Sequence, residues 1–157
     1  MLKTHIIDAT HGDCILLDFD DSKILIDCGP KSFLARRDVL TNIENILGED
    51  GTIDIAVVTH NDDDHIGGFE YLLDTEIKIK TMVFNSLQDI PDIIENVQKQ
   101  ISYNQDNILR QKLLEARGIQ IHCLTRDSTP LILNDIKLTA ITPTAEILER
   151  MLNGNPP

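Results

Sequence analysis

The sequence predicts a single mixed α/β domain. Its 157 residues suit one domain rather than two. Short segments with alternating apolar residues interleave with longer ones whose apolar residues recur at helical spacing. Residues 53–59, Ile-Asp-Ile-Ala-Val-Val-Thr, are almost continuously apolar, as a strand covered on both faces must be.

The elements follow in order. Residues 2–8 and 14–19 read as strands around a tight turn, Thr10-His11-Gly12-Asp13, and Asp20-Asp21-Ser22 turns the chain into a third strand over 23–28. Gly29-Pro30 stops this meander. Residues 36–47 carry Val39, Leu40, Ile43, Ile46 and Leu47 on one helical face. The buried strand 53–59 comes next, then a short helix over 69–73 and a strand over 80–85. Residues 89–118 are mostly helical, with Pro91 in the first turn and Gly118 as the stop. A strand over 119–125 follows, then a hairpin of 130–133 and 136–142 about Asn134-Asp135. A last helix, capped by Thr142 or Thr144, runs to about residue 152.

Composition narrows the setting. With 41% hydrophobic residues and no Trp, the core is modest and aliphatic. No apolar run reaches the roughly 18 residues of a membrane span, and Met-Leu-Lys-Thr-His does not open a signal peptide. Cys14, Cys28 and Cys123 are odd in number and widely spaced. That excludes a cysteine-based zinc site and points to reduced core thiols in a cytoplasmic setting. The net charge of −12 argues against a broad phosphate-binding surface. Carboxylates that hold divalent cations soften this objection, because the cations reverse the local field.

The densest chemistry lies directly after the buried strand. His60-Asn61-Asp62-Asp63-Asp64-His65 packs two imidazoles and three carboxylates into six residues, followed by Ile66-Gly67-Gly68. These side chains are ligands for zinc, manganese or iron. A solvated Asp-rich turn would not explain a His at both ends. A calcium loop would use oxygen ligands alone.

Residues 59–68 resemble the H-x-H-x-D-H motif of the metallo-β-lactamase superfamily, with Asp62 in place of the second His. In this H-x-D-x-D-H form, followed by Ile-Gly-Gly, the segment is most similar to the metallohydrolase domains of ComEC-like DNA-internalisation proteins. Asp8-Ala9-Thr10-His11-Gly12-Asp13-Cys14-Ile15-Leu16-Leu17 resembles that family's opening turn. Ile24-Leu25-Ile26-Asp27-Cys28-Gly29 resembles its I-L-I-D-x-G strand end. After about Phe84 the likeness is one of pattern only.

The resemblance implies an αββα sandwich, with residues 1–157 as the N-terminal half of its domain. It implies two divalent ions, zinc or manganese, with His60 and Asp62 on one and Asp64 and His65 on the other. An oxygen ligand at position 62 hardens that site toward manganese. Asp64 is also the candidate to orient the attacking water. Asp27, ending a buried strand, would accept hydrogen bonds that orient the metal loop, or cap a local turn. Asp13 would hold the first turn against that loop, and His11 would face the substrate or be structural. Asp63 reads as a solvated or supporting carboxylate. His5 and His122 read as structural; His122 serves as a ligand only if its strand end points at the loop. Arg36-Arg37 is a solvated helix start or a phosphate contact.

The implied activity is hydrolysis of phosphodiesters, with DNA as the expected substrate. The alternatives are ester, thioester or lactam hydrolysis on the same fold, and a non-catalytic interaction module. A binuclear site of this type also implies a later His, a bridging Asp and a final His. A complementary C-terminal portion or a second chain is therefore expected to complete both the site and an otherwise bare apolar sheet face. Without it the chain is expected to be inactive. The other explanation is a reduced, inactive relative.

Overall fold

The computed structural model describes residues 1–48, 51–86, 101–116 and 118–152. Its centre is a six-stranded sheet in sequence order: β1 (Leu2–Ile6), β2 (Ile15–Phe19), β3 (Ser22–Ile26), β4 (Thr52–Val57), β5 (Lys78–Val83) and β6 (Gln120–His122). β1, β2 and β3 form the antiparallel meander, with Ile6 opposite Ile15 and Phe19 opposite Ser22. From β3 onward the pairing is parallel. Parallel neighbours need crossovers, and helices supply those before β4 and β6. α1 (Phe33–Leu47) joins β3 to β4, while α2 (Asp63–Ile66) and α3 (Phe69–Leu72) lie between β4 and β5. α4 (Ile101–Glu115) precedes β6, the hairpin β7 (Leu131–Leu133) and β8 (Ile136–Leu138) follows, and α5 (Ala145–Leu152) comes last. No helix among the described residues is long and apolar enough to cross a membrane.

Two apolar clusters define the layers. Val39 and Ile43 of α1, Ile66 of α2, Phe69 and Leu72 of α3, and Leu109 and Leu113 of α4 pack with Leu16, Leu25, Ile53, Ala56 and Met82 of the sheet. Ile24, Ile55, Val83 and Leu124 form a second cluster, against which Leu131, Leu133, Ile136 and Leu138 of the hairpin pack. The sheet is therefore a mixed α/β core between helices and a hairpin. Ile24, Ile55, Val83 and Leu124 are buried, and the hairpin residues packed on them are partly buried.

Several boundaries differ from the sequence expectation. α1 begins at Phe33, before residue 36, because Ser32 starts the helical ladder and its carbonyl accepts from Arg36 N–H at 3.0 Å. The expected strand 119–125 shrinks to three residues. The Asn85 side chain takes over just beyond it: Leu124 N–H donates to Asn85 Oδ1 at 2.9 Å, and Asn85 Nδ2 donates to the Leu124 carbonyl at 2.8 Å. Thr144 is the cap of α5, accepting from Ile147 N–H at 3.1 Å. The helical expectation for residues 89–100 lies outside the described residues.

Candidate metal centre

The parallel strands β3 and β4 end side by side, with Ile26 paired to Val57. Their extensions, Asp27 and the segment from Thr59 to His65, meet at one edge of the sheet. The sequence expectation was a loop from 60 to 68, but residues 63–66 form a helical turn. Asp62 is its extended N-cap, acidic Asp63 and Asp64 lie in its first turn and His65 in its last. That order of charges suits the helix dipole.

Small residues let three segments close around this turn. A Cβ on Gly68 would lie 1.9 Å from the Cys28 carbonyl oxygen. Gly12 has φ of +80°, and a Cβ there would lie 1.8 Å from the carbonyl oxygen of Asp64. The first turn therefore presses on the metal loop itself. Backbone hydrogen bonds complete the clamp: Cys28 N–H donates to His65 O, Gly29 N–H to Asp13 O and Gly68 N–H to Gly29 O, at 2.8–2.9 Å.

Asp27 is the hub. It is 1% exposed and sits at φ of +54°, in the left-handed region that Asp tolerates better than most residues. Its Oδ1 accepts from Thr59 N–H at 2.8 Å. Its Oδ2 accepts from the Thr59 hydroxyl at 2.6 Å and pairs with His65 Nδ1 at 2.9 Å. These contacts set both imidazoles. His65 Nδ1 donates to a carboxylate oxygen, so its Nε2 carries the lone pair. The Thr59 hydroxyl has given its proton to Asp27, so toward His60 Nδ1, 3.0 Å away, it can only accept. His60 therefore also carries its proton on Nδ1 and presents a bare Nε2.

Both Nε2 atoms face carboxylates. His65 Nε2 lies 3.6 Å from Asp64 Oδ2, and His60 Nε2 lies 3.7 Å from Asp62 Oδ2. The two rings stand 3.8 Å apart, centroid to centroid. Ligand atoms of His60, Asp64 and His65 converge within 4.8 Å, as do those of Asp13, Asp27 and His65. Two imidazole Nε2 atoms beside carboxylate oxygens are a donor set for a divalent cation. His60, Asp64, His65 and Asp62 could hold one.

The structure places the remaining candidates as follows. Asp62 is exposed and reaches His60, but it does not join the convergent group with Asp64 and His65. Asp13 has its carboxylate 3.8 Å from His65 Nδ1. His11 is exposed, its ring beside the Thr10 hydroxyl at 3.1 Å. Asp63 points at Lys31 Nζ, 3.9 Å away. His122 joins no ligand group among the described residues and lines a cavity of about 280 Å³ with Leu131 and Leu133. Cys28, beside the site, joins no ligand group among the described residues. The hydrogen bond its thiol makes to Cys14, together with complete burial, raises its pKa well above the usual range.

Several residues here escaped the sequence reading. Thr59 links Asp27 to His60. Asn61 points inward and donates to Asp106 Oδ1 at 2.8 Å. Asp106 is fully buried on α4 and also accepts from the Ser86 hydroxyl at 2.7 Å. A Thr or Asn beside a His carries no sequence signal for such roles.

Residues 7–83 match the family model of the metallo-beta-lactamase superfamily. A stretch of 61 residues is 33% identical to ribonuclease J of Mycoplasma genitalium, covering 36% of this chain and 11% of that protein. Among solved structures, metallo-beta-lactamase MIM-1 from Novosphingobium pentaromativorans aligns at TM-score 0.45 and 20% identity, over 80% of this chain and 42% of that one. A diphosphatase of the PhnP family aligns at TM-score 0.46 and 16% identity, over 80% and 41%. The chain thus spans less than half the length of each of these three proteins.

Proposed function

We propose that this protein, whose residues 7–83 match the family model of the metallo-beta-lactamase superfamily, is a metal-dependent hydrolase of phosphodiesters that acts on nucleic acid. The observation that carries the reading is the pair of imidazoles whose tautomers Asp27 fixes, leaving both Nε2 lone pairs beside the loop carboxylates. His60, Asp62, Asp64 and His65 would hold the cations, zinc or manganese. A bound divalent ion lowers the pKa of water and neutralises charge that develops on a phosphoryl oxygen.

The chain's own groups have separate tasks. Asp27 keeps a proton on Nδ1 of each imidazole, directly on His65 and through Thr59 on His60. Asp64 Oδ2 lies 3.6 Å from His65 Nε2 and converges with both imidazoles, so its carboxylate is placed to accept a proton from an attacking water and aim it. Asp13, whose carboxylate approaches His65 from the first turn, adds negative charge on the side facing Asp27. Lys31 Nζ, 3.9 Å from Asp63 Oδ1, is a cation available to meet a phosphate.

Two features favour nucleic acid over a lactam or thioester. Asp62 supplies a hard oxygen where a third imidazole would make a softer site. The ribonuclease J segment supports an RNA substrate, and the H-x-D-x-D-H form supports DNA. The test is incubation of the full chain with linear DNA, circular DNA, RNA, a lactam and a thioester, each with manganese or zinc. Metal-dependent cleavage of a nucleic acid, abolished by a chelator, is expected. Turnover of the lactam or thioester with every nucleic acid untouched would contradict the proposal.

A further inference from the structure

The metal loop is held from two sides, and only one side belongs to the first three strands. Asp27 grips it through Thr59 and His65. On the opposite side, Asn61 stands between His60 and Asp62 and sends its amide to Asp106 of α4. Asp106 is a carboxylate with no exposed surface, in an apolar layer that contains Leu109 and Leu113. Burying a carboxylate is costly unless each oxygen is hydrogen-bonded. Both oxygens are: Oδ1 takes Asn61 at 2.8 Å, and Oδ2 takes Ser86 at 2.7 Å. Ser86 follows Asn85, whose side chain clamps Leu124 just beyond β6. One buried carboxylate, 45 residues along the chain from Asn61, therefore joins the metal loop to the segment just beyond β5.

A core helix needs no carboxylate at such a position; a Leu would pack there without the desolvation penalty. The arrangement gains direction instead. An Asn whose amide is fixed cannot rotate, so the backbone of residue 61 cannot rotate freely either. His60 and Asp62 are its immediate neighbours. α2 and α3 also pack on α4, and Lys112 Nζ donates to the Glu70 carbonyl at 2.7 Å, so further contacts tie the helix to the segment that carries the loop.

We propose that Asp106 is a positioning residue for the metal loop: from α4 it fixes Asn61, and through Asn61 it sets His60 and Asp62 for a cation. The proposal rests on the metal reading given above and adds a residue from a different part of the chain to it. Its consequence is that the centre is assembled only while α4 is docked.

The test uses Co²⁺ as the probe, followed by visible absorption, on the full chain and five variants at a temperature where each is folded. Asp106→Leu is expected to loosen Co²⁺ by about 10–100-fold, the range for losing a group that orients a ligand. Asn61→Ala removes the other partner without touching the core and is expected to cost the same. The Asn61→Ala, Asp106→Leu double variant should lose no more than either alone, because both break one contact. Asp106→Asn keeps an acceptor for Asn61 and can donate to the Ser86 hydroxyl, so it should retain most of the affinity. Leu113→Ala, on the same helix and in the same core, should lower thermal stability and leave Co²⁺ affinity unchanged.

Wild-type affinity in Asn61→Ala overturns the proposal, whether or not Asp106→Leu folds. So does a Leu113→Ala variant that loses as much affinity as Asp106→Leu, since the effect would then be one of stability alone. A wild-type chain that takes up no Co²⁺ is a different result: it overturns the metal reading, and this proposal with it.

Discussion

Replacing Asp27 by Asn separates the proposed metal centre from the fold that carries it. The carboxylate receives three contacts on two oxygens: Thr59 N–H on Oδ1, and the Thr59 hydroxyl and His65 Nδ1 on Oδ2. An amide has one oxygen. In either orientation its NH₂ group faces at least one donor, Thr59 N–H at the Oδ1 position or the Thr59 hydroxyl and His65 Nδ1 at the Oδ2 position, and at least one protein hydrogen bond is lost. Asn adopts φ near +54° as readily as Asp, so no backbone strain is added. One buried unpaired donor costs about 1–3 kcal/mol. His65 can relieve that cost by moving its proton to Nε2 and accepting from the new amide on Nδ1. This relief removes the lone pair that faces Asp64. Asp27→Asn is therefore expected to lower thermal stability by a few degrees, at about 2–4 °C per kcal/mol for a chain of this size. It should weaken zinc or manganese binding by about 10–100-fold, equivalent to roughly 1.4–2.8 kcal/mol. Calorimetric titration of the apo-protein with each metal, beside a thermal melt, measures both quantities. A folded variant that binds metal as tightly as the wild type would refute the claim that Asp27 sets the imidazole tautomers.

Further predictions follow from other contacts. Gly12→Ala combines a left-handed backbone with a Cβ 1.8 Å from the Asp64 carbonyl. It should cost about 3 kcal/mol, lower the melting temperature by roughly 6–12 °C and weaken metal uptake together. Cys123 is exposed, while Cys14 and Cys28 are buried. A thiol reagent at neutral pH should label one site quickly and the other two only on unfolding, and fast labelling of Cys28 would contradict its raised pKa. The Lys23 ammonium, bonded to Asp18 at 2.7 Å, holds that carboxyl below its ordinary value. The pair's small contribution is thus present above the unfolded carboxylate range and is lost as pH falls through the lowered value. Lys23→Met should lower stability at pH 7 more than at pH 2–3; an equal loss at both would show that the pair contributes nothing.

Much of this architecture was legible in the chain because its signals are local. Alternation marked the meander, a continuous apolar run marked β4, and the His-Asp run marked the edge at which the site forms. Asp27 was legible too, since a carboxylate closing a buried strand needs donors. The helical turn over residues 63–66 was not. Asp and His are weak helix formers, and only the N-cap position of Asp62 beside a compatible charge order makes four residues wind. The hairpin was legible as a hairpin, but not its place over Ile24, Ile55 and Val83, which is set by packing between distant segments. Asp106 gave no signal, because nothing in a polar helical stretch shows that one carboxylate will be buried against Asn61. Asp62 Oδ2 lies 3.7 Å from His60 Nε2. The convergent group, however, joins His60 to Asp64 and His65.

The most direct test is the metal content of the full chain after exposure to zinc or manganese and exhaustive dialysis, by elemental analysis. The same measurement is made on the Asp64→Ala, His65→Ala double variant. The account predicts stoichiometric metal in the wild type and its loss in the double variant, with circular dichroism showing the variant folded. Unchanged metal content in the folded double variant would contradict it.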